Sequence, residues 1–376
     1  MAFNASRHAS VGVEWELELV DRVTRDLAQA SVEVLEEIRP ADLDSHPKAK
    51  HELYQSTVEI ITGVCDSVPQ ARSDIAVTLA EVRGAAERRG LGLVGSGTHP
   101  FNHWAEQQIS PNPRYHSLVE RLQWPAHRLA THGVHVHVGV TSREKVIPFV
   151  TALTAYVPHL LGLTASSPYW MGRDTGLASA RTKIFESLPT AGLPEQFSDW
   201  TEFESYVAAQ ITAGSIDTIR EVWWDIRPHP NFGTVEVRVF DDVPTLDELM
   251  MAAALTQSLV QQFDDHMEQG YALPRPREWV VRENKWRAAR FGLEADIVLD
   301  ESGRVGPLRG EIERLLEDLA PTARRLGCES DLEFARTVLE VGPSYVRQRR
   351  TAAEHAGDLR AVVDSLLREM DEGVTR

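Results

Sequence analysis

Three glutamates at every second position, Glu14, Glu16 and Glu18, alternate with Val13, Trp15, Leu17 and Leu19. Period two is the repeat of a β-strand, so the carboxylates share one face and the apolar side chains the other. Carboxylates placed this way stand about 6–7 Å apart along the strand. Such a row is either the solvated face of a half-buried strand or a face that binds a divalent cation. A dry interior tolerates clustered acids only when something cationic meets them.

Other stretches repeat the design. In Glu52-Leu-Tyr-Gln-Ser-Thr-Val-Glu59, Glu59 lies between Val58 and Ile60, an apolar setting in which a glutamate needs a metal or an arginine as partner. Gly133-Val-His-Val-His-Val138 puts His135 and His137 on one strand face, either as metal ligands or as hydrogen-bonded histidines lining a pocket. Glu236 and Arg238 alternate with valines in Thr234–Asp241, as an internal ion pair or as groups of a site. Sets rich in oxygen with a histidine suit Mg2+ or Mn2+, and the lack of thiolates counts against structural zinc.

A set of cations accompanies these acids. Arg173, Arg181 and Lys183 lie in a stretch rich in Gly, Pro and Ser, and Arg227 follows Trp223-Trp-Asp-Ile. Arg282, Lys285, Arg287 and Arg290 crowd one segment. Phosphoryl transfer needs Arg or Lys beside metal to hold negative oxygens. Taken singly the same residues read as surface charges, and the 282–290 cluster as a solvated helix face.

The elements that must position these residues follow from periodicity. Strands are expected at 11–21, 51–62, 133–140, 223–227 and 235–240, the last two forming a hairpin through Pro228–Gly233. Helices are expected at 31–39, 68–89, 115–131, 142–164, 200–213, 247–269 and from 282. The stretch Ser166–Ser198 reads as a long loop, the natural candidate for part of a cover over a site. Gly90-Leu-Gly-Leu-Val-Gly95 matches a dinucleotide fingerprint, but a helix precedes it, so it reads as a helix stop leading into a short strand. Unequal helical stretches between strands favour an α+β fold with a largely antiparallel sheet. Residues 1–306 are expected to form the catalytic core. Residues 307–376 are expected to form a helical packing layer of the same domain, with a stripe of Ile312, Leu315, Leu316 and Leu319.

Composition narrows the function. The net charge of −17 argues against nucleic acid or an anionic membrane as partner. Two cysteines, Cys65 and Cys328, make no disulfide framework. The apolar stretch Val146–Ala165 is interrupted by Pro148, Pro158 and His159, and no basic stretch leads into an early apolar run. A cytoplasmic enzyme is expected.

The motifs in their order resemble the glutamate–cysteine ligase superfamily. These are Gly-Val-Glu-Trp-Glu at 12–16, Glu52 with Glu59, Gly-Val-His at 133–135 and Val-Glu-Val-Arg at 235–238. Gly97-Thr-His-Pro100, Ser166–Gly172, Trp224-Asp-Ile-Arg-Pro228 and Glu283-Asn-Lys-Trp-Arg-Ala-Ala-Arg-Phe-Gly292 are similar to its second type, the carboxylate–amine ligases. The resemblance implies a glutamine-synthetase-like catalytic fold using ATP and two or three Mg2+ or Mn2+ ions. Glu16, Glu52 and Glu59 would hold one ion, and Glu14, His135 and Glu236 another. Arg238 would face the transferring phosphate or the acidic substrate. Arg181 and Arg227 would contact phosphate, with Lys285, Arg287 and Arg290 as further nucleotide contacts. The implied reaction joins the γ-carboxylate of glutamate to the amine of cysteine, or a related amine, through an acyl phosphate, with weak activity toward cysteine. A homo-oligomer is expected. His137 stands where larger bacterial ligases often have Asn, and Trp15 replaces an acid common between the paired glutamates. Two other readings stay open: a metal-dependent hydrolase built on His135 and His137, and a non-catalytic binder of an amino acid or nucleotide.

Overall fold

The computed structural model describes residues 2–374. The acidic strand is β1 (Val11–Asp21), followed by β2 (Ala49–His51), β3 (Thr57–Ile61), β4 (Leu91–Val94) and β5 (Val134–Gly139). Two short ribbons, β6 (Tyr169–Trp170) with β7 (Arg173–Asp174) and β8 (Ala191–Gly192) with β9 (Trp223–Trp224), precede β10 (Ile226–His229) and β11 (Thr234–Val237). A last ribbon pairs β12 (Asp296–Val298) with β13 (Val305–Pro307). The main sheet has seven strands in the order β10-β11-β5-β1-β3-β2, with β4 also on β1. Every pairing in it is antiparallel.

The helices before the hairpin are α1 (Ser31–Ile38), α2 (Val68–Glu87), α3 (Pro113–Leu122), α4 (Trp124–His127), α5 (Arg143–Leu153), α6 (Val157–Thr164), α7 (Ala180–Phe185) and α8 (Trp200–Thr212). After it come α9 (Leu246–Glu268), α10 (Glu278–Phe291), α11 (Leu308–Leu326), α12 (Glu329–Val341), α13 (Ser344–Glu354) and α14 (Leu359–Glu372). The fold is α+β.

The apolar face of β1 anchors the core. Val13, Trp15, Leu17 and Leu19 are fully buried, and β1 packs against α2 and α9. The one polar atom of Trp15 is satisfied, its Nε1 donating to the Val243 carbonyl at 3.2 Å. Helix α9 is buried along most of its length and meets α2, α5, α11, α12 and the sheet. Its first turn is capped by Thr245, whose hydroxyl accepts from Glu248 N at 3.1 Å. The stretch Arg143–Thr164 is long and apolar enough to cross a membrane by composition alone. Here it is mostly buried inside the protein, with α5 against α9 and α6 against α9 and α10.

Several expected elements come out differently, each for a local reason. The strand expected over 51–62 splits into β2 and β3, because residues 52–56 turn away, with Gln55 N donating to Gln108 O at 2.9 Å. The helix expected over 115–131 breaks at Gln123, where φ is +54° just ahead of Pro125. Proline has no N–H to donate and crowds the turn before it. The expected loop at 166–198 contains α7, capped by Ser179, and much of it is buried. The hairpin between β10 and β11 turns through Gly233, at φ +64°, where a Cβ would meet the Asn4 carbonyl at 1.9 Å. Only glycine fits that approach.

Helices α11–α14 lie over the expected C-terminal layer, whose residues 375–376 fall outside the described residues. Ile312, Leu315, Leu316 and Leu319 are buried on α11, which packs on α9 and α12. Arg347 of α13 ties three helices together. Its guanidinium meets Glu248 of α9 at 2.9 Å and Glu369 of α14 at 2.8 Å, and donates to Gly342 O at 2.7 Å. Breaking a buried ion network from one side strands the remaining charges. Arg347→Ala is therefore expected to cost about 3–5 kcal/mol of unfolding free energy, measured by denaturant titration. A variant as stable as the parent would show that the network carries no structural weight.

Candidate active site

The strand register assembles the charged face in cross-strand rows. Glu16 stands opposite Glu59, which stands opposite Lys50. Glu14 stands opposite His135. His137, Glu236 and Arg227 form the third row across β5, β11 and β10. Glu14, Glu16, Lys50, Glu59, His135 and Arg227 of these rows face a cavity of about 780 Å3. Glu14, Glu16, Glu59, His135, Arg227 and Arg238 line it from the sheet, and Glu52 from the turn before β3. Helix α7 and the turn after it add Arg181, Phe185 and Leu188.

Glu18 continues the period-two row of β1 but stays out of the cavity. It is fully buried against His132, 3.0 Å away, and His132 also meets the Thr57 hydroxyl at 2.9 Å. Arg181 reaches the cavity because residue 133 is glycine. A Cβ there would lie 2.1 Å from the Arg181 guanidinium. The Gly133 amide in turn donates to Glu16 at 2.6 Å.

Three groups of ligand atoms each gather within 4.8 Å: Glu16 with Glu52 and Glu59, Glu14 with Glu59 and His135, and Glu14 with His137 and Glu236. The expected first set is brought together as read. The expected second set is divided, because the register places His137, not His135, across from Glu236. His135 instead joins Glu14, with Nδ1 at 2.9 Å, and Glu59.

The electrostatics divide the wall in two. Burial alone would push the Glu236 carboxyl up, but Arg227 and Arg238 hold it far below the usual carboxylate range. Arg227 lies 2.7 Å from it and Arg238 2.6 Å. Glu14 behaves similarly: burial raises it, and hydrogen bonds with His135 and His137 more than reverse this. The trio Glu16, Glu52 and Glu59 has weaker support, with the Gly133 amide and His135 near Glu16. Burial and the charge of Glu16 push the Glu52 carboxyl up to about 7. Burial, with Glu14, Glu52 and Glu16 around it, pushes Glu59 well above its ordinary range. Among the described residues, the cation paired with Glu59 is the half-exposed Lys50 ammonium, 3.9 Å away, and no arginine pairs with it.

The three basic residues expected on α10 do not line the cavity. Lys285 is buried between Asp225 and Glu186, at 2.5 Å and 2.6 Å. Arg287 donates to Glu283 at 2.7 Å and to Asp296 O at 2.9 Å. Arg290 donates to Gly176 O. Helix α10 turns these groups toward its own neighbours, and a sequence cluster of cations does not reveal which way it faces. Several cavity residues went unread, among them Lys50, Tyr115, Trp223, His229 and Phe232. His229 shares one face of β10 with Arg227, the same period-two signal that marks Glu14 and Glu16. Its ring stacks on Phe232 at 4.1 Å between centroids.

Comparison with known proteins places this geometry. The family model described as glutamate-cysteine ligase family 2 (GCS2) matches residues 10–365. The chain is 54% identical over 372 residues to the protein named "Putative glutamate--cysteine ligase 2-1" of Frankia casuarinae, covering 99% of this chain and 97% of that one. It is 51% identical to "Putative glutamate--cysteine ligase 2" of Thermobifida fusca, covering 99% and 93%. Among solved structures, glutamate–cysteine ligase from Francisella tularensis in complex with AMP aligns with a TM-score of 0.71 at 12% identity, over 99% of this chain and 90% of that one. A bifunctional glutathione synthetase from Pasteurella multocida aligns with a TM-score of 0.69 at 14% identity, over 96% and 52%. The two structural likenesses show a shared fold. With the match across residues 10–365 and relatives above 50% identity, the chain belongs to glutamate–cysteine ligase family 2.

Proposed function

We propose that this protein is an ATP-dependent carboxylate–amine ligase that joins the γ-carboxylate of glutamate to the amine of cysteine or a related amine. The observation that carries this reading is the thinly compensated trio Glu16, Glu52 and Glu59, sharing one cavity with Arg181, Arg227 and Arg238, in a chain of this family. Three acids with one half-exposed lysine among them fit divalent cations, and opposing arginines fit anionic oxygens.

The donor set suits Mg2+ or Mn2+: carboxylate oxygens with one or two imidazoles. The buried Nε2 atoms of His135 and His137 face the acids, 3.8 Å from Glu16 and 3.4 Å from Glu14, where each could serve as a ligand. Glu16, Glu52 and Glu59 would hold one ion, and Glu14 with His135 or His137 another. Bound there, the ions would neutralise phosphate oxygens and draw negative charge off the transferring group.

The remaining chemistry belongs to the chain and its substrates. A carboxylate does not condense with an amine in water, because hydroxide leaves poorly. In the proposed reaction the glutamate γ-carboxylate oxygen attacks the γ-phosphorus of ATP, and ADP leaves. The amine then attacks the acyl carbon of the mixed anhydride, phosphate leaves, and the amine gives up a proton. Arg238 and Arg181 would orient the phosphoryl oxygens and stabilise charge as it develops. Arg227 acts one step behind: its bidentate bond to Glu236, with Nε at 2.8 Å and Nη2 at 3.0 Å, fixes the carboxylate that in turn aims Arg238. The cavity lies within the size range of ligand pockets. Phe185, Leu188 and Phe232 along its lining would help keep water from an acyl phosphate. The neighbour crystallised with AMP supports a nucleotide in this fold. A cytoplasmic location and a homo-oligomer belong to the same reading, with residues 307–374 as a packing layer.

The direct test is an ADP-release screen of the purified protein with ATP, Mg2+ or Mn2+, glutamate and a panel of amines that includes cysteine. Release that needs both the acid and an amine is expected. Hydrolysis that needs metal but no ATP would replace the ligase with a hydrolase, and binding without any turnover would leave a non-catalytic protein.

A second test concerns the acids alone. An unfolded glutamate releases its proton near 4.5, whereas folded Glu52 holds its proton until about 7. Between those values the folded state binds more protons than the unfolded chain, so stability falls as pH rises. Glu52→Gln removes that loss. In chelator, the variant should gain on the parent by on the order of 2–3 kcal/mol between pH 4.5 and pH 7, read from denaturation midpoints. Mg2+ or Mn2+ should stabilise the parent and close the gap. A difference that ignores both pH and metal would remove the trio as a metal site.

A further inference from the structure

The motif Glu283–Gly292 resembles the family's second type, yet none of its residues touches the cavity. Several of its residues instead meet the segment 176–186. Arg290 donates to Gly176 O. The Ala289 carbonyl accepts from Ala178 N at 2.9 Å and from Ser179 N at 3.0 Å. The Lys183 ammonium lies 5.3 Å from the centre of the Trp286 ring. Lys285 meets Glu186 at 2.6 Å. Helix α10 thus holds residues 176–186 at both ends and along their length, and that segment carries Arg181.

Lys285 makes a second connection. Its ammonium also meets Asp225 at 2.5 Å, two residues before Arg227. The Asp225 carbonyl accepts from Arg238 N at 2.7 Å. One buried cation, 2% exposed, therefore joins the element that carries Arg181 to the strand pair that carries Arg227 and Arg238. A surface charge has no such reach. Stability alone is also a poor reason for the arrangement, because well-packed apolar side chains often replace a buried ion network without loss. What an ammonium with three donors adds is direction: it fixes two carboxylates relative to each other.

We propose that Lys285 is a positioning residue, which holds Arg181 and Arg227 at their separation across the cavity, with the rest of the motif bracing the 176–186 segment. Only the consequence for turnover rests on the ligase reading; the brace itself is a property of the fold.

The test uses the full chain and two readouts. In Lys285→Met, amide hydrogen exchange should quicken in peptides covering 176–186 and 223–229 and stay unchanged in β1 and β5. In the ADP-release assay, kcat/KM for ATP should fall about 100-fold, the scale of a 1 Å misplacement. Lys285→Arg, which keeps the charge, should recover most of it. Unchanged exchange in both segments, or exchange that quickens across the whole chain, would overturn the proposal, as would unimpaired turnover. If Lys285→Met does not fold, Glu186→Gln decides. It keeps the Asp225 pair and should loosen 176–186 alone; a segment as protected as in the parent would overturn the brace. If the parent releases no ADP with any acid and amine, the ligase reading fails, and exchange alone judges the role of Lys285.

Discussion

Like charges gathered in a buried cavity repel one another, and each also loses hydration. Bringing Glu14, Glu16, Glu59 and Glu236 of the sheet together with Glu52 of the turn before β3 is therefore costly. The structure meets that cost unevenly. Glu236 sits between two guanidiniums, and Glu14 between two imidazoles. Those acids stay ionised without help from outside. Around Glu16, Glu52 and Glu59 the compensation is thinner: a half-exposed lysine 3.9 Å from Glu59, and the Gly133 amide and His135 at 2.6 Å and 3.8 Å from Glu16. The imbalance separates these three acids from the salt-bridged acids of the same sheet face.

The same constraint explains why β1 is central. A strand can offer ligands on one face only if its other face is fully bought into the core. Val13, Trp15, Leu17 and Leu19 do this, packed on α2 and α9. Antiparallel neighbours on both sides then put Glu59 and His135 directly beside the β1 acids. A slip of one residue in either neighbour would send its ligand into the apolar layer.

Much of this was legible in the sequence because period two is a local property. Each acid announces its face through its two apolar neighbours, and the resemblance of the motifs joined the strands into one site. Register between strands is not local: the resemblance implies a set that joins His135 with Glu236, whereas His137 stands opposite Glu236. The direction of a helix face is not local either. Lys285, Arg287 and Arg290 have the composition of a phosphate-binding cluster, but α10 turns them to Asp225, Glu283 and the Gly176 carbonyl. The stretch 166–198 read as a loop because its Gly and Pro residues break every period. Its order comes from tertiary hydrogen bonds, such as those from Ser166 N, Ser167 Oγ and Ser179 Oγ to buried Asp241.

Those hydrogen bonds carry the argument one layer outward. Asp241 closes β11's continuation against the start of β5 through its bridge to Gly133, the residue over which Arg181 lies. Ser166 accepts from Gly97 N at 2.8 Å, and its carbonyl accepts from Gln348 of α13 at 2.6 Å. The C-terminal helices thus reach the site without entering it. Their acids and arginines line no part of the cavity, yet Gln348 touches the loop that holds Asp241, and Arg347 beside it locks α13 to α9 and α14. The sheet supplies the charges, and the helical layer fixes the backbone that aims them. That division explains how so much like charge can be concentrated in one place: most of the groups that repel sit on strands whose positions are set elsewhere, by apolar packing and by ion networks such as that of Arg347.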